Sequence, residues 1–127
     1  MTFKVHHEQF RDGAVRLVLE GRLDSGTAPE FDLSVAGVLE SPPPVMVLDM
    51  AGLDYISSAG LRVVFKLQKA VGKGDGEMLM VNLKPPVRKV FEIIDALPSL
   101  SVFGSITELD DYLDEMQARE RQKQDDA

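Results

Sequence analysis

The chain has 127 residues, no cysteine, 44% hydrophobic residues and a formal net charge of −7. The length predicts one domain that can bury a core, and the lack of cysteine excludes disulfides, Cys-zinc sites, iron–sulfur clusters and thiol nucleophiles. The negative charge disfavours nucleic acid and anionic membranes as partners. Because the sequence has neither a signal peptide nor an apolar run of about 20 residues, we expect a soluble, cytoplasmic protein.

Short apolar stretches predict the strands of the domain. They cover residues 3–7, 15–20, 45–50, 77–83 and 101–103, the first as an edge strand. The stretch 45–50 is almost continuously apolar, which indicates a strand covered on both faces. The first two strands are close enough in the chain to pair as a hairpin.

Helical periodicity follows between the strands. The apolar stripes are Phe31, Val35, Val38 and Leu39; Val87, Val90, Phe91 and Ile94; and Leu109, Tyr112, Leu113 and Met116. Thr27-x-x-Glu30 and Ser105-x-x-Glu108 are capping-box patterns, and Pro86 fits a first helical turn. Strands that alternate with helices predict an α/β domain with a mixed, largely parallel sheet. Residues 119–127 have no apolar face, and we expect this charged tail to fray beyond a domain of residues 1–118.

Residues 47–62 are the most distinctive part of the sequence, because an apolar strand leads through a short loop to two serines and a helix. A serine directly before a helix is commonly its N-cap. A phosphoryl group on Ser57 or Ser58 would also be stabilised there, because a helix N-terminus carries partial positive charge. The small neighbours Ala59 and Gly60 would leave a hydroxyl accessible to another enzyme.

The helix after the serines, predicted over residues 59–71, carries a basic stripe. Its members are Arg62, Lys66, Lys69 and Lys73. Arg62 lies one turn from the serines and could meet a phosphate, although such stripes are more commonly solvated.

Other chemistries lack their required partners in this sequence. Asp49 ends a predicted central strand, where receiver domains have a phosphoacceptor aspartate, but the acidic pair and the late lysine of a receiver are missing. The run Gly72–Gly76 lies between a predicted helix and a strand, whereas a P-loop lies between a strand and a helix. His6 and His7 would point to opposite faces of a strand, which makes a metal site improbable. No nucleophile has a base at a plausible spacing, so we expect neither an enzyme nor a cofactor.

The order and spacing of several motifs resemble the STAS domain of anti-sigma factor antagonists, from about Phe3 to Met116. The matching elements are Gly21-Arg22-Leu23-Asp24-Ser25, Leu48-Asp49 with Leu53-x-Tyr55-Ile56, Ser57-Ser58-Ala59-Gly60-Leu61, Gly76-Glu77-Met78, and Pro86 with Val90-Phe91. The resemblance implies a single STAS-like α/β domain with a mixed sheet of four to five strands and about four helices.

The resemblance also implies a phosphoacceptor. In the family it is the serine or threonine two positions before the glycine, which corresponds to Ser58, with Ser57 as the alternative. The family often has aspartate where Ser57 stands, and serine or threonine where Ala59 stands.

The implied mechanism is partner switching. The unphosphorylated protein would bind an anti-sigma factor, a serine kinase with a histidine-kinase-like ATPase fold. Phosphorylation would end that complex, and a PP2C-type serine phosphatase would restore the active form. The free protein would be a monomer.

We expect the partner to bind a face formed by the two loops and the helix start. The expected residues are Asp24, Ser25, Ser57, Ser58, Ala59, Gly60 and Arg62. A second interpretation is a STAS module without a phosphoswitch, such as a subunit of a lipid-transport complex or a small-ligand sensor. The hydroxyl at position 58 favours the first interpretation.

Overall fold

The computed structural model describes residues 3–9, 13–96 and 105–125. The elements in chain order are β1 (Lys4–Gln9), β2 (Val15–Leu23), α1 (Ala28–Ser34), α2 (Ala36–Glu40), β3 (Val45–Ile56), α3 (Ser58–Lys73), β4 (Glu77–Val81), α4 (Pro85–Ala96) and α5 (Ile106–Asp125). This arrangement confirms the predicted α/β domain. The strand predicted at residues 101–103 lies outside the described residues.

The four described strands form one sheet in the order β1-β2-β3-β4. β1 and β2 pair antiparallel, whereas β2 with β3 and β3 with β4 are parallel. The predicted hairpin and the largely parallel sheet are therefore both confirmed. β3 is longer than predicted and continues through Ile56, because apolar residues recur on its buried face as far as Leu53 and Ile56.

The core is formed mainly by side chains of β2, β3 and α3. Fully buried members include Leu17, Leu19, Leu23, Met46, Leu48, Met50, Leu53, Ile56, Val64 and Leu67. Phe3 packs edge-on against Phe31 of α1, with ring centroids 5.6 Å apart, and so ties the N-terminus to the first helix. This core fixes the ends of β2 and β3 relative to α3.

The two predicted capping boxes have different outcomes. Ser105 accepts a hydrogen bond from the Glu108 N–H at 3.1 Å, as predicted. The Thr27 box is wrong, because the Thr27 hydroxyl makes no cap hydrogen bond to α1. It donates instead to the Arg22 carbonyl at 2.7 Å and accepts from the Asp24 N–H at 2.9 Å, so it closes the preceding turn.

The helix count differs slightly from the prediction. The stripe that begins at Phe31 forms two short helices, α1 and α2, divided at Val35. α5 continues through Asp125, and two ion pairs join successive turns near its end, Arg119 with Glu115 and Lys123 with Glu120. The domain boundary at residue 118 and the fraying of the tail stay predictions.

Among the described residues, none of the helices combines the length and the apolarity that a bilayer span needs.

Candidate functional site

The candidate site lies where β2 and β3 end side by side. Leu23 pairs with Ile56 in the parallel ladder, so the residues that follow both strands are neighbours. The Ser57 N–H donates to the Leu23 carbonyl at 2.9 Å and extends this pairing by one residue. We call residues 24–27 together with residues 57–62 the acceptor edge.

Gly60 allows α3 to begin directly against the end of β2. A Cβ atom at this position would lie 2.6 Å from Leu23 Cγ and 3.0 Å from the Leu23 carbonyl oxygen. Both distances are shorter than ordinary van der Waals contact. The sequence suggested that Gly60 keeps a hydroxyl accessible, but the structure gives it a packing role between α3 and β2.

Ser57 is the N-cap of α3. Its backbone is extended, with φ −102° and ψ 176°, and its hydroxyl accepts from the Gly60 N–H at 3.4 Å. Its carbonyl accepts from the Leu61 N–H at 2.9 Å, which starts the helical hydrogen-bond series. The capping role that the sequence left open between two serines therefore falls to Ser57.

Ser58 is the first residue of α3, and its hydroxyl is not the cap. Its backbone N–H donates to Asp110 Oδ1 at 2.9 Å, so a carboxylate of α5 satisfies a donor that the helix itself leaves free. Ser58 is only 9% exposed. The hydroxyl environment is therefore more enclosed than the small neighbours Ala59 and Gly60 suggested, because α5 packs beside it.

One face of α5 holds the junction between β3 and α3. We call Asp110, Asp114 and Gln117 the α5 contact face. Asp110 contacts Ser58, and Asp114 accepts from the Tyr55 hydroxyl. Gln117 is fully buried and pairs with both backbone groups of Ile56, accepting from its N–H at 3.0 Å and donating to its carbonyl at 2.9 Å.

The α5 contact face was not predicted, although the sequence contains a signal for it. Gln117 follows Leu109 and Leu113 at successive spacings of four, which places it on the apolar stripe of α5. A glutamine that continues a buried stripe must find hydrogen-bond partners there. The spacing alone does not name Ile56 as that partner.

Tyr55 connects the α5 contact face to the end of β2. Burial raises the pKa of the Tyr55 hydroxyl above its usual value, and the hydrogen bond to Asp114 raises it further. The Arg22 guanidinium lies 4.0 Å from the centre of the Tyr55 ring, a cation–π contact. The phenol therefore stays protonated at physiological pH and keeps its hydrogen bond to α5.

The turn after β2 is closed by its own side chains. Asp24 Oδ1 accepts from the N–H groups of Gly26 and Thr27, both at 3.0 Å. Asp24 therefore organises the loop, and Ser25 is left exposed at its tip.

The structure brings the predicted face together at the acceptor edge. Ser25, Ala59 and Arg62 line one shallow cavity of about 240 Å³. Ser57 and Ser58 lie beside it at the start of α3. The geometry thus places the predicted residues on the turn after β2 and on the adjacent start of α3, and their contact with a partner stays a prediction.

Asp49 does not belong to this site. It lies within β3, which continues to Ile56, and it is buried in an ion pair with Arg16. The Arg16 guanidinium holds the pKa of the Asp49 carboxyl below its usual value, and hydrogen bonds from the Ala51 N–H and the Asn82 amide support the charged form. Its role is to join β2, β3 and the end of β4.

Within residues 3–9, 13–96 and 105–125, no group of three or more His, Asp or Glu residues could hold a metal ion.

Comparisons with known proteins match this arrangement. The STAS domain family model matches residues 8–109. A protein named "Putative anti-sigma factor antagonist BtrV", from Bordetella bronchiseptica, is 39% identical over 94 residues, which cover 74% of this chain and 81% of that protein. The anti-sigma factor antagonist SpoIIAA in its unphosphorylated form has a TM-score of 0.64 at 19% identity, covering 72% of this chain and 81% of that one. Bacillus SpoIIAA in its phosphorylated form has a TM-score of 0.61 at 18% identity, covering 72% and 83%.

These matches identify the antiparallel hairpin, the parallel strands and the helices packed on them as a STAS-like α/β domain. The chain belongs to the STAS domain family. The resemblance inferred from the motifs is thus confirmed, and the family match includes the whole acceptor edge. At these identities the likeness to SpoIIAA concerns the fold alone.

Proposed function

We propose that this chain is an anti-sigma factor antagonist that works by partner switching. Its unphosphorylated form binds an anti-sigma factor, a serine kinase with a histidine-kinase-like ATPase fold. Phosphorylation of Ser58 ends that complex, and a PP2C-type phosphatase restores the binding form. The domain is a ligand and a substrate in this scheme and does not act as a catalyst.

One structural observation carries the proposal: the two serines have different tasks. The Ser57 hydroxyl is engaged with Gly60 as the N-cap, and Ser57 is only 4% exposed. A phosphate on Ser57 would remove that cap. The Ser58 hydroxyl is free of the capping role and lies at the positive end of the α3 dipole, where a phosphate is tolerated.

Phosphorylation would act on a bound partner through charge. A phosphoserine adds about −1.5 to −2 charges at pH 7, and burying them in an interface costs desolvation. The carboxylate of Asp110, which accepts from the Ser58 N–H, is a second negative charge at this edge, so a phosphorylated surface would be still less favourable to bury against a partner. A loss of about 3–4 kcal/mol would weaken binding by a few hundredfold.

One sequence relative and one similar structure support this proposal. The Bordetella relative has a name that describes an anti-sigma factor antagonist, and it shares more than a third of its aligned residues with this chain. One similar structure is that of SpoIIAA in a phosphorylated form. Phosphorylation of this chain, its position and its consequence are parts of the proposal.

The decisive experiment is phosphorylation by a candidate anti-sigma factor, a serine kinase with a histidine-kinase-like ATPase fold. The purified protein is incubated with that kinase and ATP, and intact mass and peptide sequencing locate the product. One phosphate on Ser58, absent from the Ser58→Ala variant, is the expected result. A phosphate on Ser57 would be consistent with partner switching but would make Ser57, and not Ser58, the phosphoacceptor.

Binding measurements then test the switch itself. Ser58→Ala should fold, bind the kinase and resist release by ATP. Ser58→Asp should fold and bind poorly, because the charge is tolerated at a helix start but not in the interface. Equal binding by both variants would refute the switch even though the fold is established.

The enclosure of Ser58 favours a second candidate function. A residue that is 9% exposed offers little surface to a kinase. The alternative is a STAS interaction module without a phosphoswitch, such as a subunit of a lipid-transport complex or a small-ligand sensor. Absence of phosphate after incubation with a demonstrably active kinase would support this alternative.

A further inference from the structure

Positive charge is concentrated on one helix of this acidic chain. α3 carries four cations, Arg62, Lys66, Lys69 and Lys73, and no acidic residue. The other ten cations and all 21 acids lie elsewhere, which gives the rest of the chain a net charge of −11. All four cations are exposed.

The spacing of these residues places them on one side of α3. Steps of four, three and four residues keep side chains on one helix face, and eleven residues of helix span about 16 Å. Lys66 pairs with Asp32 of α1 at 2.6 Å. Within the described ranges, Arg62, Lys69 and Lys73 are in no ion pair, so most of this charge is available to a partner.

Two shallow cavities follow this face and meet at Lys66. The first, of about 240 Å³, begins at Ser25 and Ala59. The second, of about 580 Å³, continues to Gly74 along the side of α3 that faces α2. We call the two cavities together the α3 groove.

The α3 groove combines an apolar floor with cationic side chains. Its second part is lined by Leu39, Pro42 and Ala70 together with three of the lysines. Its first part is lined by Ala28, Pro29, Ala59 and Val63, together with Asp32, which is paired with Lys66. Apolar residues beside regularly spaced cations match an amphipathic helix whose polar face is acidic.

We propose that the α3 groove binds an acidic amphipathic helix of a protein partner. Carboxylates spaced by three and four residues on that helix would face Arg62, Lys69 and Lys73, and its apolar face would cover Leu39 and Pro42. A nucleic acid fits less well, because a polyanion longer than about 16 Å would extend beside the acidic remainder of the chain. The groove begins next to Ser58, so the same anti-sigma factor would occupy both surfaces; that assignment rests on the proposed function.

A designed peptide tests the groove without any natural partner. The probe is a fluorescein-labelled helical peptide of about 15 residues, with glutamates at i, i+4, i+7 and i+11 to match the cations of α3 and leucines on the adjacent face. Fluorescence polarisation measures its binding to the unphosphorylated full chain. Two control peptides replace the glutamates with lysine or the leucines with serine, and both should bind at least about tenfold more weakly.

Charge reversal on the protein gives the matched comparison. Lys69→Glu should weaken binding of the acidic peptide by about fivefold to tenfold, and Lys123→Glu on α5 should change it by less than about twofold. Urea unfolding of both variants verifies that each is folded. Higher ionic strength should weaken the wild-type complex.

The outcomes separate this inference from the proposed function. Failure of the acidic peptide to bind, an equal loss in both variants, or tighter binding of a single-stranded oligonucleotide of the same charge would overturn the inference. If Ser58 is phosphorylated but Lys69→Glu binds the kinase as the wild type does, the inference fails and the proposed function stands. If the peptide binds as expected and no phosphate forms on the protein, the groove inference stands and the proposed phosphoswitch fails.

Discussion

The turns that follow β2 and β3 lie side by side, but they are held in different ways. The turn after β2 is closed within three residues, because Asp24 and Thr27 bond each other and the nearby backbone. The junction after β3 is held from α5, whose Asp110 lies 52 positions after Ser58 and whose Gln117 lies 61 positions after Ile56. The first turn keeps its shape by local chemistry, whereas the candidate acceptor depends on the docking of a distant helix.

Substitution of Gln117 should cause the largest loss of stability, because Gln117 holds the junction after β3. Gln117→Leu leaves the buried N–H and carbonyl of Ile56 without their partner, and each unsatisfied group costs about 1–3 kcal/mol, so we expect a loss of about 2–4 kcal/mol. Urea unfolding measures it, with Gln68→Leu on the exposed side of α3 as the control. Equal stabilities of the two variants would show that α5 does not hold the junction.

Adding a methyl group at Gly60 should destabilise the contact between α3 and the end of β2. Gly60→Ala places a Cβ 3.0 Å from the Leu23 carbonyl and should cost about 1–3 kcal/mol through overpacking. Gly37→Ala in α2 is the matched control, since its Cβ would have nothing within 4 Å. The control should be neutral or should stabilise by about 0.5–1 kcal/mol in thermal unfolding. A neutral Gly60→Ala would mean that α3 can shift away from β2 without penalty.

Substituting Asp24 should affect only the first turn. Asp24→Ala removes an acceptor for two N–H groups and should cost about 1 kcal/mol, by analogy with the loss of a helix cap. Asp24→Asn keeps an oxygen in place and should retain most of the stability, since the partly exposed contact with Arg22 at 3.9 Å contributes little. Chemical denaturation compares the two. A similar loss in both variants would assign the effect to charge rather than to turn closure.

Substituting Asp110 should have the smallest effect and the one most sensitive to phosphorylation. Asp110→Ala should cost about 0.5–1 kcal/mol in the unphosphorylated protein, where it frees the Ser58 N–H. In the Ser58-phosphorylated protein the cost should fall or reverse, because the phosphate no longer faces a carboxylate.

A thermodynamic cycle over the four species measures this coupling between Asp110 and the phosphate. Asp111→Ala, at an exposed neighbouring position on α5, is the control and should have the same effect in both phosphorylation states. An identical cost for Asp110→Ala in both states would exclude the coupling.

The sequence predicted the fold where short-range patterns decide it. Alternating apolar stretches located the described strands, and the stripe from Val87 to Ile94 located α4. The predictions for Thr27 and for the single helix after β2 were wrong, because hydroxyl partners and helix breaks depend on competing local contacts. The residues of the acceptor edge were named from motifs, and the structure brings them together.

The environment of Ser58 could not be predicted from the sequence. It depends on which residues of α5 meet the end of β3, and this contact joins positions more than fifty residues apart. A register shift of α5 by one residue would remove all three contacts at once. Only the packed structure fixes that register.

The contact between Gln117 and Ile56 restricts which side chain can stand at position 117. Its amide head group offers Ile56 one acceptor and one donor, as a neighbouring strand would, so a helix side chain completes a ladder that the sheet itself leaves unfinished. Glutamate has no donor when ionised, asparagine is one methylene shorter, and methionine lacks both functions. A glutamine at the corresponding position is therefore a recognisable sign, readable in other chains of the family, that their last helix closes the sheet in the same way.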